Sequence, residues 1–186
     1  MNETTTKLGM KYISVTRALS PYTDFSMIHP ETLAYAADRG TRVHAVCTDY
    51  SLGKFVVVPY DCQGFFESYK GWFDKYVEKV IAVEIELKCD TYGIVGHSDL
   101  ICVLRNDKEP TVIDLKTPAA TSRLWRVQLA AYYYLAKPKY NPKRVASLRL
   151  KKDGSPPIFN EYTSQAEDFA AFLSCLFATR FFKKGE

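Results

Sequence analysis

The chain lacks the features that announce several large classes of protein. Nowhere in its 186 residues does an unbroken apolar run approach the roughly 20 residues that a membrane-crossing helix needs. The opening MNETTTKLGM is polar and has no apolar stretch of the kind a secretory leader carries. The expectation is a soluble, cytoplasmic protein with no membrane partner. Its five cysteines (47, 62, 89, 102 and 175) form no CxxC and no Cys/His pair at zinc spacing, which points to buried free thiols in a reducing compartment. There is no repeat, low-complexity tract or long linker, so residues 1–186 read as a single domain. Acidic residues are missing from one long stretch. From Lys116 to Lys152 there are ten Lys and Arg and no Asp or Glu, within a chain of net charge +4 whose remainder is therefore net acidic. Such a segment is a candidate footprint for phosphates and equally a solvated basic face.

What is present suits a globular core, with 47% apolar residues and 14% aromatics. SVTRALSPY reads as a short helical turn closed near Pro21. A long helix is expected from Pro30, a residue tolerated in a first turn, to about Gly53. Along it Leu33, Ala36, Ala37, Gly40, His44 and Cys47 form a small-residue stripe suited to close packing. QGFFESYKGWFDKYVEKV reads as a second amphipathic helix. The period then changes: VIAVEIELKC, GIVGHSDLICVL and TVIDLKT read as an antiparallel meander, apolar on both faces at its centre. SRLWRVQLAAYYYLAK follows as a helix with Ser122 as a cap and Pro138 as its end. Two strands joined at Asp153-Gly154 and a last helix from Ser164 complete the order. The fold class expected is α/β, a central mixed, mostly five-stranded β-sheet flanked by α-helices.

Charge inside the apolar strands is the feature that needs a reason, because an unpaired buried carboxylate costs several kcal/mol, on the order of. Side chains alternate along a strand, so Asp114 and Lys116 share a face, as do His97, Asp99 and Ile101 on the strand before. In a suitable register Asp99 and Asp114 converge. Two carboxylates that close repel each other, and a divalent cation such as Mg²⁺ or Mn²⁺ relieves the repulsion. The other reading of the same residues is a structural ion pair between Lys116 and one of the aspartates. Glu84 in AVEIEL is a further carboxylate for the site, and His97 either supports it or packs.

In order along residues 39–134, RGTRVHA, GHSD, DLK and QLAAYYY form a pattern that resembles the PD-(D/E)XK nuclease superfamily, closest to its RecB-type and phage-exonuclease branch. The resemblance implies a restriction-endonuclease-like core and metal-assisted hydrolysis of DNA phosphodiesters. It implies Mg²⁺ or Mn²⁺ held by His44, Asp99, Asp114 and the carbonyl of Leu115. Asp99, Asp114, Lys116, Gln128 and Tyr132 would be the catalytic set, with Gln128 and Tyr132 positioning Lys116 or a phosphate. Arg39, Arg42, Arg123, Arg126 and Lys137 are the candidate DNA-binding cations, the substrate being single- or double-stranded DNA ends. Some members of the branch carry an iron–sulfur cluster on four cysteines, three of them near the C-terminus. This chain has only Cys175 there, so no cluster is expected. With no P-loop, any helicase would be a separate protein, as would a single-strand-annealing partner. An exonuclease of recombination, repair or replication is the leading expectation. The alternatives are a structure-dependent endonuclease, a nuclease subunit of a repair complex, and an inactive nucleic-acid-binding domain of the same fold.

Overall fold

The structure is a computed structural model, and it describes residues 5, 6 and 9–182. A two-residue strand, β1 (Ile13–Ser14), leads into a short helix, α1 (Val15–Leu19), and a 3₁₀ turn at Ser20–Tyr22. Helix α2 (Pro30–Ser51) and helix α3 (Gln63–Tyr76) follow. Then come the meander β2 (Val77–Cys89), β3 (Ile94–Leu104) and β4 (Pro110–Lys116), helix α4 (Leu124–Tyr140), strands β5 (Arg144–Arg149) and β6 (Ile158–Tyr162), and helix α5 (Gln165–Phe182).

The six strands form one mixed sheet. β2, β3 and β4 pair antiparallel, β4 and β5 pair parallel through the α4 crossover, and β6 returns antiparallel to β5. The strand beyond the expected five is β1, which runs parallel to the start of β3, with Ile13 opposite Ile94 and Ser14 opposite Val95. No hydrophobic alternation marks a pair of residues that short.

Both sheet faces are covered, which is why β3 and β4 are apolar throughout. On one face Leu100, Cys102, Ile113 and Leu148 pack against Val43 and Cys47 of α2 and Phe65, Tyr69 and Trp72 of α3. On the other, Ile101, Val112 and Val145 pack against α1, against Leu129 and Tyr132 of α4, and against Phe169 and Phe172 of α5.

Three local expectations change. The second helix stops at Tyr76 rather than running through VEKV. Val77 pairs with Leu104 and is buried, so tertiary pairing claims a β-branched residue that helical periodicity could also accommodate. α4 continues past Pro138 to Tyr140 and closes at Asn141, which is left-handed (φ 44°) and donates its N–H to the Lys137 carbonyl at 3.1 Å. The small-residue stripe of α2 is buried only at its C-terminal half. Val43, Val46 and Cys47 are the helix's buried residues, and Ala37 lies exposed.

Candidate active site

The site forms where β3 and β4 part. Their ladder runs from Val103–Pro110 to Leu100–Ile113 and stops there; the next pair in that register is Asp99 with Asp114. On the same edge of β3, β1 holds only Ile94 and Val95, so residues 96–99 have no strand neighbour on that side among the described residues. Asp99 fills the gap with its own side chain. Its Oδ2 accepts the Leu115 N–H at 2.6 Å, taking the place of a ladder carbonyl. Its Oδ1 lies 3.2 Å from His44 Nδ1. Across the other edge of β3, the pairs Val83–Leu100 and Ile85–Ser98 bracket Glu84 and set it opposite Asp99.

Glu84 is a non-glycine residue in the left-handed region, at φ 47°. Such a conformation is unfavourable for a residue with a Cβ and is found disproportionately at functional sites. One ligand atom each from His44, Glu84 and Asp99 lies within 4.8 Å of the others. Thr48 Oγ1, one turn beyond His44 on α2, donates to Glu84 Oε1 at 3.4 Å.

Asp114 is 4% exposed and pairs with Lys116, Oδ2 to Nζ, at 2.6 Å. Among the described residues, no donor other than this ammonium reaches the buried Oδ2. Lys116 Nζ also donates to Gln128 Oε1 at 2.7 Å, and Gln128 Nε2 donates to the Tyr132 hydroxyl at 3.0 Å. The Lys116 ammonium also lies 5.7 Å from the centroid of the Trp125 ring. Gln128 and Tyr132 are one helical turn apart, so α4 presents both to the site. The Tyr132 ring rests on Gly96, where an added Cβ would stand 2.7 Å from Cε1.

The electrostatics follow from burial among like and unlike charges. Burial pushes the Asp114 carboxyl up, Lys116 opposes the shift, and Asp99 adds to it. Burial works against a charged His44, but Asp99 outweighs it and brings the imidazole up to about 9. Glu84 is raised by burial and then by Asp99. The Tyr132 phenol is raised by burial and by Asp114 and Asp99, and stays protonated.

His44, Asp99, Asp114, Lys116, Gln128 and Tyr132, named from the sequence, therefore converge, and Leu115 contributes a main-chain contact. Glu84 joins them, while Asp114 stands outside the His44–Glu84–Asp99 group. The surrounding ligand atoms suit a hard divalent cation: carboxylates and an imidazole, with a buried Asp114 oxygen that only the Lys116 ammonium neutralises.

The basic residues are more dispersed. Arg42 is held by Asp38 at 2.9 Å and by both oxygens of Asp61 at 2.7 and 2.9 Å. Arg126 pairs with buried Asp168 at 2.6 Å. The Arg39 guanidinium lies over the Tyr35 and Phe65 rings. Lys137 lies over Tyr133 and Tyr134, roughly 13 Å along α4 from Gln128. Arg123 precedes α4 and lines a cleft that reaches Lys116 and Gln128. That cleft has a wall that sequence reading missed, the segment from Thr16 to Ile28. In that segment the apolar residues Leu19, Tyr22, Phe25 and Ile28 are scattered among polar ones, and nothing in their spacing signals a wall.

The parted strands of the mixed sheet thus gather carboxylates and a lysine at one place. The family model described as the PD-(D/E)XK nuclease superfamily matches residues 60–180, more than half of the chain, and the chain belongs to that superfamily. A solved structure described as "Crystal structure of SSO0001" is similar at 19% identity, with a TM-score of 0.43 over 98% of this chain and 78% of that one. No curated protein matches. Among the described residues, no helix is long and apolar enough to cross a membrane.

Proposed function

We propose that the protein is a divalent-metal-dependent deoxyribonuclease, residues 1–186 forming one nuclease domain, and that it works as an exonuclease of the RecB-type branch in recombination, repair or replication. The observation that carries the reading is the meeting of Asp99, Asp114 and Lys116 in the gap between β3 and β4, with Lys116 held by Gln128 and Gln128 by Tyr132.

Asp99, Asp114, His44, Glu84 and the Leu115 carbonyl are the groups that would hold Mg²⁺ or Mn²⁺. When bound, such an ion lowers the pKa of a coordinated water and offsets charge on the scissile phosphate. The chain's own residues do the rest. Asp99, tied to the Leu115 amide, keeps β3 and β4 at a fixed separation. Lys116 offers its ammonium to the negative charge that develops on the phosphate oxygens. Gln128 occupies one Nζ hydrogen and so aims the others, and Tyr132, packed on Gly96, stops the Gln128 amide from turning.

The test uses end-labelled linear duplex, closed circular duplex and single strands, each with Mg²⁺, Mn²⁺ or EDTA. Metal-dependent cutting of linear but not circular DNA is the expected result. Cutting of circles would replace the exonuclease assignment with an endonuclease one. No metal-dependent cleavage of any substrate would overturn the enzymatic reading.

A further inference from the structure

The cleft beside the site is built differently from a duplex-binding groove. It encloses about 910 Å³, in the size range of ligand pockets, between the segment Thr16–Ile28 and the segment Lys116–Gln128. Lys116 and Gln128 belong to both the cleft and the polar chain described above, so the cleft opens directly onto the proposed reacting position. Tyr22, Phe25 and Ile28 line one wall and remain 43–49% exposed. Leu124 and Trp125 line it as well.

Four arginines that could track a duplex backbone are engaged elsewhere. Arg42 is held by Asp38 and Asp61, Arg126 by Asp168, Arg144 by Asp107, and Arg149 by the Ala119 carbonyl. Within the cleft the charged groups are Lys116, Arg123 and Asp24, and Asp24 accepts the Ser26 N–H at 2.9 Å. What the cleft offers is aromatic and apolar surface with a cation at its base. That surface complements the face of a nucleobase, which a duplex hides in its stack and an unpaired strand presents.

Resting on the nuclease reading, we propose that this cleft holds an unpaired base of the substrate strand next to the scissile phosphate, with Phe25 and Tyr22 as its stacking surface. The substrate is then a single-stranded end or overhang, and a fully paired end must fray to be cut.

The test separates binding from cleavage. Oligonucleotides carrying 2-aminopurine are titrated with the protein in EDTA, as single strands of DNA, single strands of RNA, and blunt duplex. The base fluorescence should change on binding single strands and not duplex. Phe25→Ala and Tyr22→Ala should each weaken single-strand binding roughly tenfold. Phe55→Ala, at a 91% exposed residue outside the cleft lining, should leave it unchanged. Circular dichroism checks that each variant is folded. A DNA response without an RNA response, or an equal response to both, supports the cleft and assigns its sugar tolerance. Equal affinity for duplex and single strands, or folded Phe25 and Tyr22 variants that bind as the parent does, overturns it. Single-strand binding in a protein that cleaves nothing with Mg²⁺ or Mn²⁺ leaves the cleft standing and removes the nuclease reading instead.

Discussion

The Asp99 carboxylate accepts the main-chain N–H of Leu115 at 2.6 Å, across the point where β3 and β4 cease to pair. A side chain thereby closes the ladder that the backbone leaves open, and the strand ends that carry Asp114 and Lys116 are held at the edge of the gap. Asp99→Ala should free the Leu115 amide inside the protein, at a cost of about 1–3 kcal/mol in stability. Asp99→Asn keeps an acceptor and should retain most of that stability while losing the charge. Urea unfolding of the two variants checks the difference.

Asp114 and Lys116 form a buried pair, so removing one partner should cost more than removing both. Lys116→Ala is expected to destabilise the fold by about 3–5 kcal/mol at neutral pH, because Asp114 is left uncompensated. The double variant Asp114→Asn with Lys116→Met should recover most of it. Both should cleave DNA at least a hundredfold more slowly than the parent. Urea midpoints together with a single-turnover cleavage assay separate the structural loss from the chemical one.

Gly96 lies under the Tyr132 ring, and a methyl group there would stand 2.7 Å from Cε1. Gly96→Ala should displace the ring, costing about 1–3 kcal/mol and breaking the Gln128–Tyr132 hydrogen bond. Tyr132→Phe removes the same hydroxyl without the clash. Both variants should lower the cleavage rate by a similar factor, on the order of tenfold to a hundredfold, while only Gly96→Ala lowers the melting temperature appreciably.

Arg42 grips Asp61 with two hydrogen bonds, and Tyr35 adds a third at 2.8 Å. Arg42 first, then Tyr35, hold the Asp61 carboxyl below its ordinary value of 3.8. A lowered folded pKa means that the unfolded chain takes up a proton first as the pH drops. The interaction's contribution is therefore complete above the unfolded value and is lost as pH falls through the folded one. The stability difference between the parent and Asp61→Asn should be constant near neutrality and vanish in strong acid. Urea midpoints measured from pH 2 to pH 6 check the sign.

All five cysteines are free; Cys47, Cys62 and Cys102 are buried, and Cys89 and Cys175 are partly so. Burial pushes the Cys102 thiol up to about 12 and raises Cys47 further. Since the thiolate is the reactive form, Cys47, Cys62 and Cys102 should resist alkylation in the folded protein. Iodoacetamide labelling read by peptide mass spectrometry should modify at most Cys89 and Cys175 until urea is added.

Much of this protein is legible in one dimension. The alternation in VIAVEIELKC and the double-sided apolarity of GIVGHSDLICVL and TVIDLK carry the meander, because a strand buried on both faces tolerates few other residues. For the same reason Asp99, Asp114 and Lys116 stand out, as charges where burial penalises charge. The motif order also led to His44, Gln128 and Tyr132. Sequence offered Glu84 as a further carboxylate but could not place it, since its part depends on a left-handed φ and on a register two strands wide. Nor could it show that Arg42 and Arg126 are already paired, because Asp61 and Asp168 lie 19 and 42 positions away in the chain.

The residues themselves determined which groups are available for chemistry and which strands and helices carry them. That information is local, written in periodicity and in the cost of burying charge. Tertiary structure alone decided where the ladder between β3 and β4 stops, which side chain fills the gap, and that residues 16–28 return to wall the cleft beside Lys116. Those outcomes depend on pairings between distant segments, whose geometry is set by the packing of both faces of the sheet at once.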